Sequence, residues 1–204
     1  MISVNEALSR AAGLARGGRR LLGIVGEPGS GKSTLAASLQ GSLGGAAVVV
    51  PMDGFHLSQA QLERLGRAER KGAPDTMDAW GLLALVRRLR AADEPVVWAP
   101  EYRRDLHNGI TGAIGVPASV ALVILEGNYL LLDAEPWVHV REYLDESWFL
   151  SLDPAVRMER LVARHIGTGK SPDAALAWSN GPDEENAALI RGTAGNADVI
   201  VAGR

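Results

Sequence analysis

The chain has 204 residues, of which 47% are hydrophobic and 22% charged, and its 21 basic and 24 acidic side chains give a formal net charge of −3. This length fits one compact domain, so we expect a single domain over residues 1–204. A net charge so close to zero provides no long-range attraction for a polyanion, which argues against nucleic acid as a partner. Small molecules are therefore the expected partners.

The sequence contains no cysteine, which excludes disulfides, zinc–thiolate sites and thiol nucleophiles. Residues 1–13 mix Asn5, Glu6 and Arg10 with apolar side chains and lack the continuous apolar core of a secretory signal. No later run approaches the about 18 apolar residues that a membrane helix needs. We expect a cytoplasmic protein with no membrane partner, in which any metal ion is held by oxygen ligands.

Hydrophobic periodicity predicts an α/β fold in which strands and helices alternate along the chain. Such alternation is typical of a parallel sheet with helices on both faces. Residues 66–75 are expected to form a charged loop, and residues 100–117 a long surface loop or a small hairpin. The predicted helices are 2–15, 32–41, 58–65, 76–91 and one that begins at Pro154, and the predicted strands are 21–25, 46–52, 95–98, 120–125, 147–152 and 198–202.

Residues 26–33 match the phosphate-binding pattern G-x-x-x-x-G-K-[ST], the P-loop, between a predicted strand and a predicted helix. In that pattern, glycines turn backbone N–H groups toward an anion, Lys32 supplies a full charge at the β- and γ-phosphates, and Ser33 offers a hydroxyl to Mg²⁺. We expect Thr34 to be buried in the helix rather than to be a second metal ligand. The alternative is a glycine-rich turn that only joins strand to helix. The residues predicted to bind ATP are Gly26, Glu27, Pro28, Gly29, Ser30, Gly31, Lys32, Ser33 and Thr34.

The apolar run 48–50 leads into Pro51-Met52-Asp53, which predicts a strand with Asp53 at its carboxyl end. Ligands bind at that edge of open α/β sheets. A carboxylate there can orient a substrate hydroxyl and accept its proton during phosphoryl transfer, so Asp53 is a candidate catalytic base. We predict that His56 lines the acceptor pocket. The alternative for Asp53 is a turn-forming Asp-Gly pair between strand and helix.

The apolar run 122–125 ends in Glu126, a carboxylate that can hold Mg²⁺ through a water molecule. Taken alone, this pattern is also that of any buried strand that ends in an acid. The chain has no Asn-Lys-x-Asp segment for reading a guanine base, and no Gly-Gly signature of a transporter ATPase shortly before Glu126. These absences favour a kinase over a GTPase switch or a transport ATPase.

From Pro154 onward the pattern is helical, and Arg157, Arg160 and Arg164 recur on one face at spacings of three and four. Like charges so placed repel by about a few tenths of a kcal/mol per pair. Either solvent and Glu159 disperse this charge, or a polyanion binds there. The segment resembles the mobile helical lid of P-loop kinases, which implies a lid over about residues 154–180 with Arg160 and Arg164 as catalytic residues above the triphosphate.

Together these residues resemble the P-loop kinase family of uridine kinases, phosphoribulokinases and bacterial type I pantothenate kinases. The likeness is greatest to its nucleoside/nucleotide kinase-like branch, which includes fructose-transport-system-kinase-like proteins. It implies a P-loop NTPase fold, ATP and Mg²⁺ as cofactors, Asp53 as the catalytic base, and a possible homodimer, since relatives form dimers or tetramers. The segments that carry it are 51–56, 70–78, 126–130, Asn186 and 197–198.

Relatives in this branch carry Phe-Asp-Arg or Tyr-Asp after the central strand, whereas this chain has Tyr102-Arg103-Arg104. An arginine pair could favour an anionic acceptor. Alternatively, Asp105 is the displaced acid, or the segment is a solvated loop. The residues predicted to contact the acceptor are Asp53, His56, Arg70, Lys71, Tyr102, Arg103 and Glu126.

The sequence therefore predicts a kinase that transfers the γ-phosphoryl group of Mg·ATP to a hydroxyl of a small metabolite of the nucleoside, pantothenate or sugar type. The alternative is an ATP-binding regulatory protein associated with sugar transport, without acceptor phosphorylation.

Overall fold

The structure is a computed structural model that describes residues 1–103, 105–106 and 108–203. Arg104, half of the arginine pair noted above, lies outside the described residues. The helices are α1 Val4–Leu14, α2 Lys32–Leu43, α3 Gln59–Arg64, α4 Ala79–Ala91, α5 Trp137–Arg141, α6 Pro154–Gly167, α7 Pro172–Asn180 and α8 Pro182–Arg191. The strands are β1 Arg20–Gly26, β2 Ala47–Pro51, β3 Val96–Arg103, β4 Asn108–Pro117, β5 Leu122–Glu126, β6 Glu146–Ser151 and β7 Val199–Ala202.

Five strands form one parallel sheet in the order β2-β5-β1-β6-β7, which confirms the predicted sheet. Glu126 at the end of β5 is in register with Pro51 on β2 and with Ile24 on β1. The carboxyl ends of these three strands therefore meet at one edge, where ligands bind in sheets of this kind.

Side chains of β1 alternate between two apolar clusters, one on each face of the sheet. Leu21 and Val25 pack in a cluster that includes α4, whereas Leu22 and Ile24 pack in a cluster that includes α1 and α2. All four are fully buried, and burying such a side chain stabilises the fold by about 1.5–3 kcal/mol. Helices therefore cover both faces, as the sequence predicted.

Residues 100–117 were predicted to form a long loop or a small hairpin, and the structure shows a hairpin. Its strands β3 and β4 pair antiparallel, with a register shift between Ala99 and Glu101. The hairpin packs closely on the 3₁₀ turn Met52–Phe55 that follows β2. A Cβ atom added to Gly54 in that turn would lie 2.5 Å from the Pro100 carbonyl oxygen. This close approach requires glycine after Asp53 and fixes the position of the turn.

Some predicted boundaries differ from the observed ones. The helix expected over 76–91 begins at Ala79, because the Asp78 side chain caps it by accepting a hydrogen bond from the Gly81 N–H. The expected loop over 66–75 contains the 3₁₀ turn Ala68–Arg70 and runs into a second, Pro74–Thr76. Within the described ranges, no helix combines the length and the apolar character needed to span a bilayer.

Candidate active site

The loop between β1 and α2 is shaped by its glycines. Gly29 has φ +86° and Gly31 has φ +93°, in the left-handed region that favours glycine. A Cβ atom added to Gly29 would lie 2.8 Å from the Arg157 carbonyl oxygen, and one added to Gly26 would lie 2.5 Å from the Ser30 hydroxyl oxygen. A side chain therefore does not fit at Gly26 or Gly29 without displacing these oxygens.

This loop fits a phosphate group. Gly31 occupies the N-cap position of α2, where it has no side chain to accept a hydrogen bond from the first helical N–H groups. The Ser30 hydroxyl is buried and has no hydrogen-bond partner in the described part of the chain. Backbone donors at a helix start and a buried hydroxyl are groups that a phosphate oxygen satisfies.

Lys32 connects the loop to β5. Its Nζ lies 3.7 Å from Glu126 Oε1, and the two side chains are only 11% and 6% exposed. Ser33, Asp53 and Glu126 line a small cavity of about 290 Å³. A hydroxyl and carboxylates are hard oxygen ligands of the kind that Mg²⁺ prefers.

The described residues contain no group of three or more His, Cys, Asp or Glu side chains that could hold a metal ion by themselves. A magnesium ion held by Ser33 and Glu126 would thus complete its shell with phosphate and water oxygens. Thr34 is exposed beside them, so the prediction that it is buried is wrong. The buried face of α2 is instead formed by Leu35, Ala36 and Leu39.

Asp53 lies where two cavities meet. It lines the small cavity and also a larger one of about 830 Å³, here called the large cavity, which Lys32 lines as well. His56 Nδ1 donates a hydrogen bond of 2.8 Å to the Asp53 carbonyl oxygen and so closes the turn. The structure therefore directs a carboxylate and the P-loop ammonium toward one space.

Three further predicted acceptor residues come together on the lining of the large cavity. The His56 and Tyr102 rings lie 4.9 Å apart between centroids, and the Lys71 ammonium lies 5.5 Å from the Tyr102 ring centroid. Gln59 accepts a hydrogen bond of 3.5 Å from Lys71. Burial lowers the pKa of Lys71. These side chains come from three separate segments, which the fold brings together on one cavity.

Three predicted acceptor residues are not among the described lining residues of this cavity: Glu126 lines the small cavity instead, and the other two are Arg70 and Arg103. Arg70 lies 2.7 Å from Asp75, and its side chain is 51% exposed. Arg103 donates hydrogen bonds of 3.0 and 2.9 Å to the carboxylate of Asp105, which lowers the pKa of Asp105. Both guanidinium groups are directed to nearby loop carboxylates, and Asp105, not Arg103, lines the cavity.

The predicted arginine face of α6 divides into two parts. Arg160 and Arg164 line a cavity of about 640 Å³ that the P-loop also lines, here called the P-loop cavity, and Arg164 lines the large cavity as well. Arg157 instead is buried, and it donates a 3.2 Å hydrogen bond to the Pro28 carbonyl oxygen. The three cations therefore do not share one solvated face.

Arg157 belongs to a four-residue ionic cluster of Glu27, Arg157, Glu184 and Arg191. Glu27 Oε2 lies 3.3 Å from Arg157 Nε and 2.7 Å from Arg191 Nη2, while Glu184 contacts both arginines. Burial raises the pKa of Glu184, but hydrogen bonds from Arg191 and Arg157 outweigh it and the net pKa is lowered. The side chain of Glu27 thus anchors the P-loop to α6 and α8. Sequence reasoning missed Glu184 and Arg191.

Two side-chain pairs near the ends of α6 and α7 also border the large cavity. His165 Nε2 lies 2.6 Å from Asp183 Oδ2, and the Lys170 ammonium lies 4.6 Å from the Trp178 ring centroid. These contacts bring the chain after α6 over the cavity that Asp53 lines.

Tyr129, which follows β5, lies in the segment 126–130 that carries part of the family resemblance. Its side chain is fully buried, and its hydroxyl donates a hydrogen bond to the Gly72 carbonyl oxygen. Burial, followed by the charge of Asp53, raises the pKa of Tyr129. The tyrosine therefore stays neutral and ties the loop that carries Lys71 to the end of β5.

Comparison with known proteins agrees with this geometry. Residues 21–203 match the Phosphoribulokinase / Uridine kinase family. The chain is 34% identical over 177 residues to the uridine kinase-like protein C227.14 of Schizosaccharomyces pombe (strain 972 / ATCC 24843), covering 82% of this chain and 75% of that protein. It is 32% identical over 140 residues to the pantothenate kinase of Limosilactobacillus reuteri subsp. reuteri (strain JCM 1112), covering 66% of this chain and 45% of that enzyme.

Among solved structures, a protein from Silicibacter sp. TM1040 named as a fructose transport system kinase superimposes with a TM-score of 0.84 at 38% identity. The match covers 95% of this chain and 97% of that one. With its P-loop at the edge of a five-stranded parallel sheet, the chain belongs to the phosphoribulokinase/uridine kinase family and is an ATP-dependent P-loop kinase.

Proposed function

We propose that the protein transfers the γ-phosphoryl group of Mg·ATP to a hydroxyl of a small metabolite bound in the large cavity. One observation carries the proposal: Lys32 and Asp53 line the same cavity of about 830 Å³. A phosphate-binding ammonium and a carboxylate that face one space can align a γ-phosphate with an attacking oxygen.

The nucleotide side is formed by the P-loop backbone, Lys32, Arg160 and Arg164. The backbone N–H groups and Lys32 bind the β- and γ-phosphates, and the two arginines of α6 approach them from the P-loop cavity. Ser33 and Glu126 would hold Mg²⁺, which when bound offsets negative charge on the phosphates. This set of donors positions the γ-phosphoryl group and stabilises charge that develops on it.

On the acceptor side, Asp53 is the proposed general base. The acceptor hydroxyl gives its proton to the Asp53 carboxylate, and its oxygen forms a bond to the γ-phosphorus. The bond from that phosphorus to the β–γ bridging oxygen breaks, and ADP leaves with its electron pair. The His56 ring, bonded to the Asp53 carbonyl oxygen, holds the turn in which the base lies.

Residues 154–180 are proposed to act as a lid. Arg164, His165 and Lys170 reach the large cavity from this segment, and Gly169, with φ +98°, allows the chain to turn between α6 and α7. Closure over the cavity would exclude water, which otherwise competes with the acceptor for the γ-phosphoryl group.

The test is acceptor-dependent ADP release across nucleosides, sugars including fructose, and pantothenate, with product identified by mass spectrometry. Lys32→Ala run in parallel excludes contaminating kinases. We expect one acceptor class to raise ADP release and to gain one phosphoryl group. Tight ATP binding with no phosphorylated product from any acceptor would instead favour an ATP-binding regulatory protein associated with sugar transport.

A further inference from the structure

Asp183 provides a second shielded carboxylate on the lining of the large cavity. It lies in the first turn of α8, and its side chain is only 13% exposed. It lines the large cavity together with Asp53, and it is not among the described lining residues of the small cavity or the P-loop cavity. Asp105, a further carboxylate on this lining, is more exposed and is held by Arg103. Asp183 therefore belongs to the acceptor side rather than to the phosphate side.

His165 holds Asp183 in position. The two side chains come from the end of α6 and the start of α8, and His165 Nε2 lies 2.6 Å from Asp183 Oδ2. An ionised carboxylate only accepts hydrogen bonds, so the imidazole N–H is the donor. Because a carboxylate can accept about four hydrogen bonds, this pairing orients the group and leaves capacity for a ligand. A group that is already oriented loses less entropy when a ligand binds.

The Tyr129 hydroxyl is a common neighbour of the groups at this end of the cavity. Burial is the main cause of the raised pKa of Tyr129, the charges of Asp53 and Asp183 add to the rise, and a hydrogen bond from Asn128 opposes it. Coulomb interactions weaken with distance, so both carboxylates lie near this hydroxyl. Asp53, Asn128 and Asp183 therefore gather at one end of the large cavity, which all three line.

These three side chains present hydrogen-bond acceptors. The two carboxylates only accept, and Asn128 Oδ1 is buried with no hydrogen-bond partner among the described residues. A ligand at this end of the cavity must therefore supply donors, and hydroxyl groups are donors without charge. Arg164 and Lys170 line the same cavity, and their positive charges disfavour an ammonium group as the donor.

We infer that the acceptor is a polyol, in which one hydroxyl faces Asp53 and a second hydroxyl donates a hydrogen bond to Asp183. Asp183 is then a specificity-determining residue, and His165 is a positioning residue that acts through it. The inference rests on the proposed function and narrows its acceptor to molecules that carry a second hydroxyl. It also gives a role to α8, from which the sequence predicted no acceptor contact.

Acceptor pairs that differ at one hydroxyl test this inference. Uridine is compared with 2′-deoxyuridine and 3′-deoxyuridine, ribose with 2-deoxyribose, and fructose with 3-deoxyfructose. We expect kcat/KM for at least one parent to exceed that of its deoxy analogue by about tenfold or more, because the analogue leaves the carboxylate without its donor. Glucosamine replaces one hydroxyl of glucose by an ammonium group, and we expect it to have no advantage over glucose.

Asp183→Ala tests whether this carboxylate reads the second hydroxyl. We expect the preference for the parent to be lost, because the parent loses a hydrogen bond that the deoxy analogue never made. A structural defect would instead slow both members of a pair alike and leave their ratio unchanged. Glu185→Ala is the matched control, because Glu185 lies in the same helical turn but is exposed; it should keep the preference.

His165→Leu removes the donor that orients Asp183. We expect it to reduce the preference in part, and we expect His165→Gln, which keeps an N–H donor, to restore some of it. ATP binding by each variant, measured by calorimetry, confirms that the fold is intact.

The outcomes separate the two proposals. Deoxy analogues that react as well as their parents, a preference that survives Asp183→Ala, or glucosamine that reacts better than glucose would overturn the inference and leave the kinase function standing. Absence of product from every acceptor by a wild-type chain that binds ATP would overturn both.

Discussion

The two sides of the large cavity are built in different ways. The phosphate side comes mainly from one stretch of consecutive residues, 26–33, whose backbone provides most of the donors. The acceptor side is assembled from side chains of the turn after β2, the loop between α3 and α4, and the β3–β4 hairpin. In the proposed mechanism, binding of the triphosphate thus depends on local backbone geometry, whereas the choice of acceptor depends on side chains that are distant in sequence.

Lys32→Ala is expected to have the largest effect. It tests whether the phosphate side is required to the same degree for every acceptor. The substitution removes the full charge from the loop and leaves Glu126 without its cation at 3.7 Å. We expect phosphoryl transfer to fall by about 10³-fold or more for all acceptors, measured as ADP release. A loss confined to one acceptor would break the proposed division between the two sides.

Asp53→Asn tests the place where the two sides meet. The amide keeps the size of the side chain but cannot accept the proton of the acceptor hydroxyl, so we expect kcat to fall by about 10²-fold or more while ATP still binds. The comparison variant is Asp105→Asn, whose carboxylate lines the same cavity but is held by Arg103 and should matter less. Unchanged turnover in Asp53→Asn would remove this residue from the mechanism.

The same difference explains what the sequence could predict. The P-loop and the strand that ends in Glu126 are local patterns, and the parallel sheet follows from alternating elements. Arg157 could not be separated from Arg160 and Arg164, because its carboxylate partners lie at positions 27 and 184 and only the fold brings them together. The pairing of Arg103 with Asp105 could not be predicted either, because nothing in the sequence indicated that the turn directs this guanidinium to Asp105.

Substitutions of Arg157 and Arg191 test how much the ionic cluster behind the P-loop contributes to the stability of the protein. The Arg157 side chain is 3% exposed and that of Arg191 47%. Removing the buried Arg157 guanidinium leaves the carboxylates of Glu27 and Glu184 with less positive charge beside them. Arg157→Met should therefore lower the free energy of unfolding by about 2 kcal/mol. Arg191→Met should cost about 1 kcal/mol or less, since water screens a half-exposed pair.

Urea denaturation at neutral pH measures both values. Equal losses from the two variants would show that burial does not control the energetics of this cluster.

The variants Gly29→Ala and Gly72→Ala compare the phosphate side of the large cavity with its acceptor side, because both glycines have a similar backbone conformation. Both glycines have positive φ, +86° and +107°, so alanine adds about 1–2 kcal/mol of strain at either position. Only at Gly29 would the added Cβ meet a backbone atom, the Arg157 carbonyl oxygen at 2.8 Å; at Gly72 nothing described lies within 4 Å.

We expect Gly29→Ala to weaken ATP binding by about tenfold, and Gly72→Ala to raise KM for the acceptor with ATP affinity retained. Calorimetry with ATP and steady-state kinetics with the acceptor measure the two effects. Weakened ATP binding in Gly72→Ala would show that the acceptor loop also shapes the phosphate side.

The smallest expected effect is the pH dependence of stability due to Glu184. Its pKa is lowered from the ordinary value of 4.5 because hydrogen bonds from Arg191 and Arg157 outweigh burial. A carboxyl with a lowered folded-state pKa binds its proton more readily in the unfolded chain, so its stabilisation is complete above about pH 4.5 and is lost as the pH falls through the folded-state pKa. The stability advantage of wild type over Glu184→Gln should thus shrink below pH 4.5 in urea denaturation, with Glu185→Gln as a control from the same helical turn. A difference that stays constant with pH would mean that Glu184 stabilises the protein through packing, and the P-loop would then be anchored mainly through Glu27.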